Sequence, residues 1–103
     1  DETAEELQRL KAEILKDLHR TSDELLVGFL AKINDGSLAQ ARREASERLL
    51  LNFAKHRPEV GYCQGLNFVA AVLLRVLSNE HEAFVVLCGL MSRLPEEMFS
   101  QES

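Results

Sequence analysis

Apolar residues recur along this chain at spacings of three and four. Leu7, Leu10, Ile14 and Leu18 form one stripe on a helix running from about Glu5 to Leu18. Thr21 reads as a cap, and Glu24 three residues on completes a capping box for a second helix. That helix would bury Leu25, Leu26, Phe29, Leu30 and Ile33, and Asn34-Asp35-Gly36 is the turn that stops it. Ser37 is placed to cap a third helix with Leu38, Ala41, Ala45, Leu49 and Phe53 inward, and Pro58 bars its continuation. A fourth, about Leu66 to Leu77, is apolar on nearly all sides, which predicts a helix in the middle of a bundle, surrounded by the others. Ser78-Asn79 breaks it. A fifth carries Ala83, Phe84, Leu87, Leu90 and Met91 and ends at Leu94-Pro95, after which Pro95 to Phe99 can form a short extra turn. No strand alternation interrupts the series. The expected class is all-α, a bundle of five or six helices forming one domain from residue 1 to residue 103.

Composition narrows the range of partners. Apolar residues at 46% and charged residues at 28% are those of a soluble globular domain. A net charge of −5 argues against a nucleic-acid backbone as the main partner, since such binding rests on clustered cations. Arg42, Arg43 and Arg48 make a local basic patch, but Glu44 and Glu47 alternate with them, which reads as a solvated helix face. Cys63 and Cys88 have neither disulfide-framework nor zinc spacing, so free thiols in a reducing compartment are expected. His19, His56 and His81 lack the spacing of metal ligands. The apolar run from Phe68 to Leu74 is far shorter than the ~20 residues of a membrane span. These features point to a soluble intracellular protein that does not insert into membranes.

The segment with most chemical content is Glu59-Val-Gly-Tyr-Cys-Gln-Gly-Leu-Asn-Phe-Val69. It sets Gln64 between Gly61 and Gly65 at the mouth of an apolar helix. Glycines belong where the chain turns sharply or something approaches closely. An amide both accepts and donates, which suits it to orienting a water or a substrate group. Equally, the segment can be a helix-opening turn whose glutamine satisfies local backbone. Upstream, Ile14, Asp17, Arg20 and Thr21 close the first helix.

Together these two segments resemble the TBC domain of GTPase-activating proteins for Rab-type small GTPases. The family's I-x-x-D-x-x-R pattern is matched by Ile14, Asp17 and Arg20, and its Y-x-Q-G by Tyr62, Gln64 and Gly65. The resemblance implies an arginine finger, Arg20, and a glutamine finger, Gln64, delivered in trans to a Rab-type GTPase. It implies no cofactor of the chain's own, because the partner holds GTP and Mg2+. A cytoplasmic location follows, peripheral to endomembranes through the partner. Supporting roles fall to Asp17, Tyr62, Gly65 and Asn67. Asp17 can pair with the Arg20 guanidinium or form an ordinary surface ion pair. Tyr62 can pack at the loop base with its hydroxyl partnered. Asn67 can bond to the loop, to a partner's switch region or to nearby backbone.

The sequence also departs from the family's pattern. TBC domains are usually about twice this length, so the chain matches the amino-terminal half and the C-terminal subdomain is expected to be absent. Ser22-Asp23 stands where the family usually has Phe-Pro, which removes an apolar anchor and sets a negative charge beside Arg20. The segment from Ser22 to Asn34 has a helical pattern where a looser connection is usual. The alternative to a GTPase activator is a non-catalytic helical interaction module, or an engineered scaffold, that retains the motifs.

Overall fold

The three- and four-residue spacing of apolar positions is realised as five helices in the computed structural model, which describes residues 2–28, 36–77 and 79–95. They are α1 (Glu2–Arg20), α2 (Asp23–Val27), α3 (Ser37–His56), α4 (Leu66–Val76) and α5 (Glu80–Ser92). No strand occurs among the described residues. The expected later part of the second helix, with Phe29, Leu30, Ile33 and the Asn34-Asp35 stop, lies outside them, as do Ser78, Met98 and Phe99. Among the described residues no helix is long and apolar enough to cross a membrane.

Burial follows the stripes. Ile14 and Leu18 of α1 meet Leu49, Leu50 and Phe53 of α3, Leu66, Ala70 and Leu74 of α4, and Ala83, Leu87 and Met91 of α5 in one core. Phe53 is fully buried at its centre. A smaller cluster joins Leu26 and Val27 of α2 to Ala39 and Ala71. On α3 the inward face is rotated slightly from expectation: Ala41 is exposed, while Ser46 is buried with its hydroxyl donating to the Arg42 carbonyl oxygen at 2.8 Å. A small hydroxyl can enter a helix-packed face by donating to the carbonyl four residues back. Leu90 of α5 also turns outward.

Two caps fall elsewhere than the sequence suggests. The N-cap of α2 is Ser22, whose extended backbone lets Oγ accept from the Leu25 N–H at 3.1 Å. Thr21 is unavailable for that role because its buried hydroxyl donates back to the Asp17 carbonyl oxygen at 2.9 Å. The N-cap of α3 is Gly36 at φ 93°, and Ser37 is already helical. A left-handed approach to the helix favours glycine over serine at that position.

The fourth helix corrects a larger expectation. α4 packs against each of the other four helices, yet it is not enclosed by them. Phe68, Val72 and Val76, one turn apart, remain 52%, 45% and 74% exposed. The four neighbouring helices cover only part of the circumference of α4, so its all-round apolar sequence leaves one stripe facing out. The basic patch is corrected too. Arg48 bridges to Glu80 across α3 and α5, while Arg42 and Arg43 fold down onto α2 and the end of α1.

Candidate functional site

α1 ends at Arg20, so the last turn of a 19-residue helix carries Lys16, Asp17 and Arg20 on adjacent positions of one face. Opposite it runs the connection from α3 to α4. The Val60 and Gly61 amides both donate to the Arg57 carbonyl oxygen, at 3.0 and 2.9 Å, closing a turn after Pro58. Gly61 and Gly65 take positive φ values of 63° and 107°. Gln64 therefore sits between two left-handed residues, at the point where the chain reverses into α4. A Cβ added to Gly65 would meet nothing within 4 Å, so backbone conformation rather than crowding demands glycine there.

The two segments enclose an open polar cavity of about 300 Å³ lined by Glu13, Lys16, Asp17, Arg20, Tyr62 and Gln64. Arg20 and Gln64 are both exposed. Of the residues singled out in the sequence, Arg20, Gln64, Asp17 and Tyr62 thus share one cavity. Gly65 and Asn67 do not line it; they form the opening of α4, where Gly65 is the N-cap and Asn67 is buried.

Asp17 does not hold the Arg20 guanidinium. Its carboxylate Oδ2 accepts from the Tyr62 hydroxyl instead, and the ion pairs among the described residues are Arg43–Asp23, Arg48–Glu80 and Arg57–Glu59. Residues three apart on a helix share a face, but a buried phenol has more to lose unpaired than a solvated guanidinium, and it claims the carboxylate. Burial, the hydrogen bond to Asp17 and the Asp17 charge together push the Tyr62 phenol far above the ordinary tyrosine range. The hydroxyl therefore remains a donor. Asn67 is committed inward: its Oδ1 accepts from the Gly65 N–H at 3.1 Å, and its Nδ2 donates to Thr21 Oγ1 at 3.0 Å.

Two contributors escaped the sequence reading. Arg43, on α3, donates from Nε to the Leu18 carbonyl oxygen at 3.0 Å and from Nη2 to the Thr21 carbonyl oxygen at 3.0 Å. It thereby ties down carbonyls at the end of the helix that presents Arg20. The same Nη2 meets Asp23 Oδ1 at 2.8 Å. The Asp23 charge, expected to lie against Arg20, is thus engaged by Arg43. Thr21 is the second, read as a cap but acting as a buried link. Neither had a local signal, because each depends on a partner more than 20 residues away.

Cys63 and Cys88 form no disulfide with each other and are both half-buried, and burial pushes the Cys88 thiol up.

Comparison with known proteins decides the family. The model of the Rab-GTPase-TBC domain family matches residues 1–103, the whole of the chain. The chain belongs to this family. Among its relatives, human TBC1 domain family member 25 is 36% identical over 90 residues, covering 87% of this chain and 12% of that protein. Mouse TBC1 domain family member 30 is 37% identical over 89 residues, covering 84% of this chain and 11% of that protein. Human growth hormone-regulated TBC protein 1 is 34% identical over 92 residues, covering 89% of this chain and 26% of that protein. The TBC chain described here thus spans about a quarter or less of the length of these relatives. No solved structure matches it.

Proposed function

We propose that this TBC domain accelerates GTP hydrolysis on a Rab-type GTPase, with Arg20 as arginine finger and Gln64 as glutamine finger. The observation that carries the reading is their shared cavity: a cation and a neutral amide, both exposed, on the two walls of one polar recess. Phosphoryl transfer to water asks for those two groups. Charge spreads over the γ-phosphoryl oxygens and the leaving bridge oxygen in the transition state, and a guanidinium brought from outside neutralises it. Arg20 has no ion-pair partner among the described residues, so its planar fork is available to a phosphate. Gln64 accepts from the attacking water through its carbonyl and donates through its amide to a phosphoryl oxygen. GTP and Mg2+ come with the partner. Asp17 and Tyr62 shape the floor of the recess without drawing on the Arg20 charge, since they bond to each other.

Single-turnover phosphate release from a panel of GTP-loaded Rab-type GTPases tests this. Acceleration is expected with at least one member. Arg20→Ala should lower it about 10³-fold or more, the scale of arginine fingers generally, and Gln64→Ala by about 10²-fold or more, the scale of losing one positioned transition-state donor. No acceleration from the parent chain by any member at saturating concentration, with binding indifferent to Arg20→Ala, would select the non-catalytic interaction module instead.

A further inference from the structure

We propose that Asn67 and Thr21 form a latch that fixes the glutamine loop against the arginine helix, making both of them positioning residues for the pair Arg20 and Gln64. The catalytic half of this inference rests on the function proposed above; the structural half does not. Both side chains are almost fully buried, at 3% and 2% exposure. The Asn67 amide spans the gap between the two walls, bonded at both its oxygen and its nitrogen end. Oδ1 accepts from the Gly65 N–H at 3.1 Å and lies 3.4 Å from the Tyr62 hydroxyl oxygen, whose one hydrogen goes to Asp17. Nδ2 donates to Thr21 Oγ1 at 3.0 Å and to the Asp17 carbonyl oxygen at 3.5 Å. Each end of the amide thus stops one residue short of a finger: Gly65 follows Gln64, and Thr21 follows Arg20.

The polarity of the latch is determined. The Thr21 hydroxyl hydrogen is given to the Asp17 carbonyl oxygen at 2.9 Å, which leaves an oxygen lone pair facing Asn67 Nδ2. Turning the amide over would set its NH2 against the Gly65 N–H and its oxygen against that lone pair. One orientation satisfies every group, and no buried side-chain nitrogen or oxygen among the described residues lacks a partner. Apolar packing elsewhere tolerates small slips between helices. A buried two-ended amide does not, because any slip strands a donor.

Hydrogen exchange at the Gly65 amide reads the latch without any partner. Thr21→Val keeps the shape, removes the nearer acceptor and strands one Nδ2 hydrogen; the Gly65 amide, on a different element, should then exchange about tenfold faster. Thr21→Ser should restore the parent rate. Leu87→Val, a core change on α5 away from the latch, sets the increase owed to lower global stability. Thr21→Ala, which leaves room for a water in place of the hydroxyl, serves if the valine variant does not fold. A Gly65 amide no faster in Thr21→Val than in Leu87→Val, or equally fast in Thr21→Ser and Thr21→Val, overturns the latch. In the phosphate-release assay Thr21→Val should lower kcat about tenfold or more with KM for the GTPase unchanged, since a misplaced group weakens the transition state and not the docking. Faster exchange with unchanged kcat removes the positioning role. A parent chain without acceleration refutes the proposed function and the catalytic half together, and leaves the exchange result to decide the latch.

Discussion

Arg43 offers the sharpest measure of how the bundle holds the end of α1. Arg43→Ala deletes two hydrogen bonds from a charged donor to the Leu18 and Thr21 carbonyls, each worth about 1.5 kcal/mol at the lower end for charged groups. Its contact with Asp23, whose side chain is 51% exposed, adds no more than about 0.5 kcal/mol after solvent screening. Water reaches part of the freed helix end and returns some of this, while loss of the packed stem subtracts about as much. The expected destabilisation is about 3 kcal/mol, a large share of the roughly 5–10 kcal/mol of a domain this size. Arg43→Lys keeps the charge and most of the stem, but one ammonium cannot span both carbonyls and the carboxylate; about half the loss should remain. Urea denaturation followed by far-ultraviolet circular dichroism gives both values, with an unchanged m showing that only stability moved. A loss below about 1 kcal/mol for the alanine variant, or a lysine variant as stable as the parent, refutes the assignment of Arg43 as the anchor of this helix end.

Three further outcomes follow from the same geometry. Tyr62 is the chain's one tyrosine and there is no tryptophan, so its titration can be followed by absorbance without interference. Its raised pKa means that the folded state keeps the proton longer than the unfolded state; the Tyr62 contribution to stability should therefore be level below about pH 10 and fall as pH rises above it, with phenolate absorbance growing only as the chain unfolds. Phenolate formation near pH 10 in a folded chain would contradict the bond to Asp17. Two glycine substitutions should have opposite signs: Gly65→Ala, at φ 107°, should destabilise by about 1–2 kcal/mol, whereas Gly89→Ala, within α5 and with open space around the added Cβ, should stabilise by about 0.5–1 kcal/mol in thermal melts. Equal signs would show that the left-handed backbone at Gly65 is not required.

The sequence made the helices legible because their signal is local. Leu10, Ile14 and Leu18 declare a buried stripe by spacing alone, and Pro58 declares a stop. The cavity was legible only through its motifs: composition and periodicity say nothing about whether the end of one helix faces a loop contributed by another. What stayed hidden was the wiring. Asp17 pairs with Tyr62 and not with Arg20, and Arg43 reaches the end of α1 rather than solvent, because competition among partners is settled by tertiary placement. The openness of α4 was hidden for a related reason. Apolar character around a helix reports what can be covered, not how many neighbours are at hand to cover it.

The bonds that join Asp17 and Thr21 to Tyr62 and Asn67 each span 45 to 50 residues of chain. Such closures carry an entropic penalty that local helix formation does not, and they belong to the late, slow part of folding. A preparation that has collapsed with its helices formed but its tertiary packing loose therefore has every element of this protein and none of its recess. Far-ultraviolet spectra would not separate the two states; the near-ultraviolet signal of the lone phenol, rigid only when its hydroxyl is held, would.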